Sequence, residues 1–262
     1  MLLALFGLLI FDVSAQDLKK AARENAKLEK TLSWEFGGKK QRGWQLYVLL
    51  IQQTIETKNN PDSSKFASAI SDWQEENDLT QNGLLDKETL LALIKFWQSR
   101  RLNSSIYPAP DQLISTPIAN FYDPTRNIDL LNVERDTFTA YKKMIAAAIA
   151  EKSLQLKLTE AKELAPEEQF LKIISAFRSR EYQEQLRKKS PNSGSAGLAK
   201  NSPHFTGRAL DIYVGGEPVT TKDANRAIQV ETQVYKWLIK NAHRFGFYPY
   251  FYEPWHWEYV GK

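Results

Sequence analysis

The sequence predicts an α+β protein, in which a helical first part precedes a domain built from a small sheet with flanking helices. Apolar residues recur at helical spacing between residues 16 and 103, and again between residues 135 and 150. Two short runs near the other end, residues 210–214 and 257–260, are instead typical of strands, and the first alternates apolar with polar residues. A stretch rich in Pro, Ser and Asn separates the two parts.

Residues 1–15 form an apolar segment that is too short to span a membrane as a helix and ends in small residues. This pattern predicts a secretory signal cleaved before Gln16, and a buried amino-terminal helix or a retained anchor is the alternative. We therefore expect an exported protein of the periplasm, the cell envelope or the extracellular space, with no stable membrane span after cleavage.

The amino-acid composition excludes cysteine chemistry and argues against a nucleic-acid partner. The 262 residues contain no cysteine, which excludes disulfides, thiolate ligands and a cysteine nucleophile within this sequence. The formal net charge of +4 is mild, and no dense basic cluster is interleaved with aromatic residues. We therefore expect no nucleic-acid partner, although a basic surface favours an anionic envelope polymer.

The first predicted domain spans residues 16–103. A charged helix at 17–30 is followed by an apolar helix that starts at 44–51 and is broken by the Asn-Asn-Pro-Asp sequence at 59–62. Ser63 or Ser64 then caps a helix with apolar residues at helical spacing, and Asp86 caps the next, at 87–97. Residues 44–98 resemble the three-helix peptidoglycan-binding module. That resemblance implies a small all-α targeting domain, and an unrelated helical hairpin is the alternative.

The second predicted domain spans residues 129–262 and follows a linker or wrapped loop at 104–128. It begins with the amphipathic helix at 135–150 and continues through a charged surface insertion at 152–168. A strand at 170–177 leads to Arg178, and a short helix at 181–189 precedes a loop rich in glycine and serine at 190–201.

His204 and Asp211 form the first half of a candidate metal site. To bind one zinc ion, their donor atoms must approach within about 3–4 Å, whereas seven residues of straight strand would separate them by roughly 23 Å. The chain must therefore turn between them, and Gly207 is where it can. Alternation in 210–214 predicts a strand with Leu210 and Ile212 facing the core and Asp211 on the other face.

Glu253-Pro254-Trp255-His256 supplies the second half. Pro254 favours an extended and irregular segment before the strand that follows. Two histidines, one carboxylate ligand and a spare carboxylate are the components of a catalytic zinc site, with an open position for water and a general base. The third histidine, His243, lies at a helix end before Gly246, where a structural role is expected.

The spacing Ser-x-His-x-x-Gly-x-Ala-x-Asp followed by Glu-Pro-Trp-His resembles the VanY-type D-alanyl-D-alanine carboxypeptidases and related L,D-carboxypeptidases, which are zinc peptidases. A third matching segment lies upstream, at residues 175–179 together with Gln183. The resemblance covers roughly residues 129–262. Phe177 departs from the usual tyrosine, which affects packing more than chemistry.

The resemblance implies a role for each position. His204, Asp211 and His256 would be the zinc ligands, and Glu253 the base that takes a proton from water and returns it to the leaving amine. Arg178 would stabilise the oxyanion or hold a substrate carboxylate, with a structural ion pair as the alternative. The weaker substrate contacts would be Gln183 and Ser202, and a turn or cap hydroxyl is the alternative for the serine.

These observations predict a zinc metallopeptidase that hydrolyses peptidoglycan stem peptides at a terminal D-alanine, as a D,D- or L,D-carboxypeptidase. The resemblance also implies an antiparallel sheet. The alternatives are an endopeptidase of the same fold that cuts inside the stem or a cross-link, and a non-catalytic wall-binding protein. The last would require a lost ligand or base, and none is missing.

Overall fold

A computed structural model describes residues 14–103, 105–189 and 201–261. The predicted signal segment up to residue 13 and the glycine- and serine-rich loop at 190–200 lie outside these ranges. The chain divides into two compact units, residues 1–94 and 95–262, which are described separately. Within the described ranges, every helix is too short or too polar to cross a membrane.

The first unit is mainly helical. Its helices are α1 (Ala15–Thr31), α2 (Val48–Thr54), α3 (Ser64–Glu76) and the larger part of α4 (Lys87–Ser99). Helix α1 packs Ala21 and Ala22 against Ala67 of α3, where small side chains allow the two helices to approach closely. The predicted caps are present, because the Ser63 side chain accepts from the Phe66 amide and Asp86 accepts from the Thr89 amide.

A hairpin that the sequence did not predict follows α1. Strand β1 (Ser33–Phe36) pairs in antiparallel register with β2 (Lys39–Arg42). Gly37 and Gly38 turn the chain with φ angles of 59° and 74°, which glycine adopts without strain. Trp34 is buried and its indole donates to the Gly43 carbonyl. Four-residue strands with mostly polar or charged side chains carry too little periodicity to be recognised.

The second unit is built on a four-stranded antiparallel sheet, in the order β5 (Ile173–Ser175), β6 (Ala209–Ile212), β8 (His256–Tyr259) and β7 (Phe247–Pro249). The flanking helices are α5 (Arg135–Ala150), α6 (Arg180–Lys189), α7 (Asp223–Glu231) and α8 (Gln233–Asn241). This arrangement confirms the predicted α+β class, with a small antiparallel sheet and flanking helices.

The core of this unit joins the helices to the sheet. Tyr141 of α5 is buried and its hydroxyl donates to the Leu171 carbonyl, just before β5. Tyr235 of α8 packs edge-on against Trp257 of β8, with ring centroids 6.3 Å apart. The chain after α8 forms a 3₁₀ turn and reaches Gly246 at φ 81°, as expected for a glycine that ends a helix. His243 lies in that turn.

The segment predicted as a linker or wrapped loop contributes structure to this unit. Strand β3 (Leu113–Ser115) pairs with β4 (Asn132–Glu134), and Phe121 is buried beside Ile173 of β5. Residues 152–168 form a loop closed on Glu168, whose buried carboxylate accepts three backbone amides. The predicted strand at 170–177 is shorter, because Leu171 adopts φ 67° and regular pairing begins at Ile173.

Candidate active site

A tight turn carries His204 to the edge of strand β6. Ser202 caps the 3₁₀ turn Pro203–Thr206, and Gly207 follows at φ 66°. A β-carbon at Gly207 would lie 2.9 Å from Leu113 Cδ2 and 3.1 Å from the Glu134 backbone nitrogen, so both conformation and space require glycine. The turn predicted at this glycine is present.

Sheet register then aligns residues from three strands. Asp211 on β6 is the Cα partner of Ser175 on β5 on one side and of His256 on β8 on the other. Leu210 and Ile212 are completely buried, as the predicted alternation requires. Opposed residues in antiparallel strands place their side chains on the same face of the sheet. The register therefore brings Asp211 and His256, distant in sequence, into direct contact.

His204, Asp211 and His256 form one buried cluster, in which one potential ligand atom from each residue lies within 4.8 Å of the others. The separation is 3.3 Å between His204 Nε2 and Asp211 Oδ2, and 2.9 Å between His256 Nδ1 and Asp211 Oδ1. Two imidazoles and a carboxylate are a donor set found in catalytic zinc sites. The cluster therefore fits a zinc ion by residue type and spacing.

The ring nitrogens of the two histidines have separate partners. Nδ1 of His204 lies 2.7 Å from the Ala176 carbonyl oxygen, which can only accept, so this nitrogen carries the proton and Nε2 faces the cluster with its lone pair. His256 has the opposite orientation. Its Nδ1 faces Asp211, and its Nε2 lies 3.2 Å from Glu258 Oε1.

Burial and neighbouring charges set the protonation of the cluster. Burial, with Arg178 nearby, lowers the pKa of His204 to about 4, so this imidazole is neutral at pH 7. Although burial opposes the change, the hydrogen bond from His256 and the charge of Arg178 hold the pKa of Asp211 well below its usual range. Burial also opposes protonation of His256, but Asp211 and Glu258 raise the pKa of its ring to about 9. Metal binding at Nδ1 would therefore displace a proton.

Arg178 is held at the margin of the cluster by three side chains. Nη2 donates to Asp211 Oδ2 at 2.8 Å, Nε donates to Ser175 Oγ at 2.8 Å, and Nη1 donates to Gln183 Oε1 at 3.4 Å. The ion pair considered as an alternative role for Arg178 is therefore present. Ser202 accepts from the His204 amide at 3.4 Å, so it also has the alternative role of a cap hydroxyl.

Glu253 lies in the turn between β7 and β8, which is irregular as Pro254 predicted. Its side chain is buried, and burial raises the pKa of the carboxyl to about 7, against the lowering effect of His256. The His256 amide donates to the Glu253 carbonyl at 2.9 Å, so this turn joins Glu253 directly to a residue of the cluster. A carboxyl that titrates near neutral pH can both accept and return a proton.

Two residues near the cluster were not predicted from the sequence. Glu258 contacts His256 directly, and Arg101 contacts Glu258. Glu258 follows His256 by two positions on β8, and alternation along a strand puts both side chains on one face. That spacing could have identified Glu258. Nothing local could have identified Arg101, which pairs with Glu258 from 157 residues away.

Comparison with known proteins places this geometry in a family. Residues 132–262, half of the chain, match the sequence model of the VanY D-alanyl-D-alanine carboxypeptidases. No curated protein sequence matches the chain.

The chain is also similar, at low identity and low TM-score, to several solved structures. A structure of the LdcB LD-carboxypeptidase, described for peptidoglycan recognition, is 23% identical with a TM-score of 0.41, over 62% of this chain and 73% of that chain. VanYB in complex with D-alanine-D-alanine is 23% identical with a TM-score of 0.31, over 50% and 72%. A Zn(II) complex of a mutant VanY D,D-pentapeptidase is 23% identical with a TM-score of 0.30, over 50% and 74%.

The family match spans all three clustered residues as well as Glu253 and Arg178, and it covers half of the chain. On that match, the chain belongs to the VanY family of D-alanyl-D-alanine carboxypeptidases.

Proposed function

We propose that this chain is a zinc-dependent carboxypeptidase that hydrolyses peptidoglycan stem peptides at a terminal D-alanine, outside the cytoplasm. The observation that carries the proposal is the buried cluster of His204, Asp211 and His256, preceded in the chain by the buried Glu253, whose carbonyl accepts from the His256 amide. Family membership supports the reaction class, and the Zn(II) complex of a similar protein supports the metal.

In this proposal His204 and His256 bind the zinc ion through Nε2 and Nδ1, and Asp211 binds it through its carboxylate. Both imidazole nitrogens face the cluster, because the remaining nitrogen of each ring is held by the Ala176 carbonyl or by Glu258. A bound zinc ion supplies a nucleophile at neutral pH by lowering the pKa of water from 15.7 to about 7, and it polarises the scissile carbonyl.

Glu253 is the proposed general base and then the general acid. It accepts the proton released when water attacks the amide carbon, and it returns that proton to the nitrogen of the departing D-alanine. Proton transfer by a positioned side chain is most efficient when its pKa lies near the working pH. The burial of Glu253 brings its pKa into that range.

Arg178 is the proposed electrostatic partner of the substrate, either at the developing oxyanion or at the terminal carboxylate. Its side chain is 11% accessible, and each terminal nitrogen carries a second N–H beyond the one donated to Gln183 or Asp211, so the guanidinium can still donate to a ligand. We propose that Gln183 acts by positioning Arg178, and Ser202 by capping the turn that carries His204.

An open cavity of about 300 Å³ is lined in part by the two sequence neighbours of Arg178. It is lined by Phe177 and Ser179, which flank the arginine, together with Tyr182, Asn127, Asp129 and others. We propose that part of the stem peptide occupies this cavity. The amino-terminal helical unit is the proposed wall-binding module, and all of the proposed catalytic residues lie in the second unit.

Defined muropeptides test the proposed reaction. The purified protein, loaded with zinc, is incubated with stems ending in one or two D-alanines, and the products are followed by mass spectrometry with a chelator control. We expect loss of one terminal D-alanine that stops when the metal is removed, and the preferred stem distinguishes D,D- from L,D-activity. Internal cleavage would assign an endopeptidase instead, and the absence of any product would support a non-catalytic wall-binding protein.

The pH dependence of the reaction follows from Glu253. Only the ionised carboxylate can accept a proton, so kcat/KM should fall as the pH decreases through the pKa of Glu253. Burial raises that pKa to about 7 without metal, and the positive charge of bound zinc should lower it. The acid limb should therefore lie below pH 7 in the zinc-loaded enzyme.

Carboxyl-carbon NMR of Glu253 measures this titration directly in the metal-free and zinc-loaded protein. Zinc content is determined at each pH, so that metal loss is separated from protonation. A midpoint near the ordinary value of about 4.3 in the metal-free protein would contradict the prediction that burial raises the pKa of Glu253.

A further inference from the structure

His256 has a second carboxylate partner that the catalytic proposal does not use. Glu258 lies two residues further along β8, on the same face, and is 2% exposed. Its Oε1 lies 3.2 Å from His256 Nε2, on the side of the ring opposite Asp211. A carboxylate at that position accepts a hydrogen bond from Nε2–H and so leaves the Nδ1 lone pair directed at the cluster.

Glu258 is itself held by the chain that follows helix α4. Arg101 Nε donates to Oε1 at 2.9 Å, a second donation comes from Arg101 Nη2, and the Leu102 amide donates to Oε2 at 2.8 Å. Both carboxylate oxygens are therefore engaged. Both Arg101 nitrogens donate to the same oxygen, and charge-assisted hydrogen bonds of this kind are stronger than neutral ones, so they hold Oε1 in place while the Leu102 amide holds Oε2.

Arg101 also reaches His256 by a second path. Its guanidinium lies 4.0 Å from the centroid of the Tyr250 ring. The Tyr250 ring packs edge-on against the His256 ring at 5.9 Å, and the Tyr250 amide donates to the His256 carbonyl at 2.9 Å. One arginine thus contacts both side chains that border the His256 ring on this side.

We propose that Arg101 and Glu258 are positioning residues for the metal site, fixing the tautomer and orientation of His256 so that Nδ1 is presented to the metal. The proposal rests on the zinc site of the proposed function. Arg101 lies outside the residues matched by the family model, 132–262, so a segment beyond the family's span contributes to metal affinity.

Zinc affinity of the full chain, measured by chelator competition, tests the proposal in Arg101→Ala, Glu258→Ala and Glu258→Gln. Supporting partners of metal-bound histidines typically contribute 10- to 100-fold in affinity, so we expect both alanine variants to bind zinc about 10- to 100-fold more weakly. Glu258→Gln retains an oxygen acceptor for Nε2–H and should lose less. Arg100→Ala is the matched control, because Arg100 is exposed and stacks on Phe96. The zinc affinity of this variant should equal that of the wild type.

Three further measurements separate positioning from general stability. The double variant Arg101→Ala/Glu258→Ala should bind zinc more weakly than Glu258→Ala, but by less than the product of the two single losses, because Arg101 acts on His256 both through Glu258 and through Tyr250. The visible spectrum of the Co(II)-loaded protein should change in both alanine variants, because a misplaced ring alters the coordination geometry. Thermal unfolding of each metal-free variant confirms that the protein is folded under the assay conditions.

The outcomes distinguish this proposal from the one on which it rests. Unchanged zinc affinity and an unchanged Co(II) spectrum in folded Arg101→Ala and Glu258→Ala would overturn the positioning role while leaving the metal site intact. Failure of the wild-type protein to bind zinc would instead overturn the metal site itself, and the positioning role with it.

Discussion

Glu253→Gln should reduce kcat by about 10²- to 10⁴-fold while zinc remains bound, because the amide has the shape of the carboxyl but cannot accept a proton. Glu253 is not one of the three clustered ligand residues, so zinc affinity should stay close to that of the wild type. The measurement is a single-turnover rate on a stem peptide, combined with the zinc content of the same sample. It separates the proton-transfer role from metal binding.

Glu231→Gln is the matched control for this substitution. Glu231 is an exposed carboxylate at the end of α7 that pairs with Lys236, so its replacement should leave both rate and zinc content unchanged. A Glu253→Gln enzyme with wild-type activity would contradict the assignment of the base. Loss of zinc from that variant would instead show that Glu253 is a metal ligand.

Asp211→Asn should abolish tight zinc binding and, with it, activity. Even residues that only support metal ligands contribute 10- to 100-fold in affinity, so replacing a ligand should weaken binding by more than about 100-fold. The metal-free protein should also lose stability. Arg178, with 11% of its side chain exposed, would lose its carboxylate partner, and the buried His256 would lose one of its two; breaking a buried pair typically costs about 3–5 kcal/mol.

Chelator competition and urea unfolding of the metal-free protein measure the two effects of Asp211→Asn separately. Glu231→Gln again serves as the control, because exposed ion pairs contribute little to stability. Retained zinc affinity in the folded variant would exclude Asp211 as a ligand. A loss of affinity without any loss of stability would show that the ion pair with Arg178 contributes nothing to the metal-free fold.

The sequence predicted that His204, Asp211 and His256 come together, because these residues stand in short motifs. A histidine and an aspartate seven residues apart required a turn, and Gly207 provides it. Alternation around Leu210 predicted β6 and the placement of Asp211. What could not be predicted was the register that pairs Asp211 with His256, because residues far apart in sequence determine it.

The supporting contacts were less predictable for the same reason. Arg101 lies in a segment with no periodicity, and its carboxylate partner, Glu258, belongs to a strand whose apolar residues dominate the sequence pattern. The hairpin at β1 and β2 was missed because its charged residues conceal the buried Trp34. Local patterns identify the groups that perform chemistry, whereas packing over long distances decides which groups hold them in place.

The most direct test of the metal site is anomalous X-ray diffraction from crystals of the zinc-loaded protein, measured on both sides of the zinc absorption edge. We predict one strong zinc peak in contact with His204 Nε2, His256 Nδ1 and the Asp211 carboxylate, at the usual distances of about 2.0–2.2 Å. A peak bound by other residues, or none at this cluster in protein that contains zinc, would contradict it.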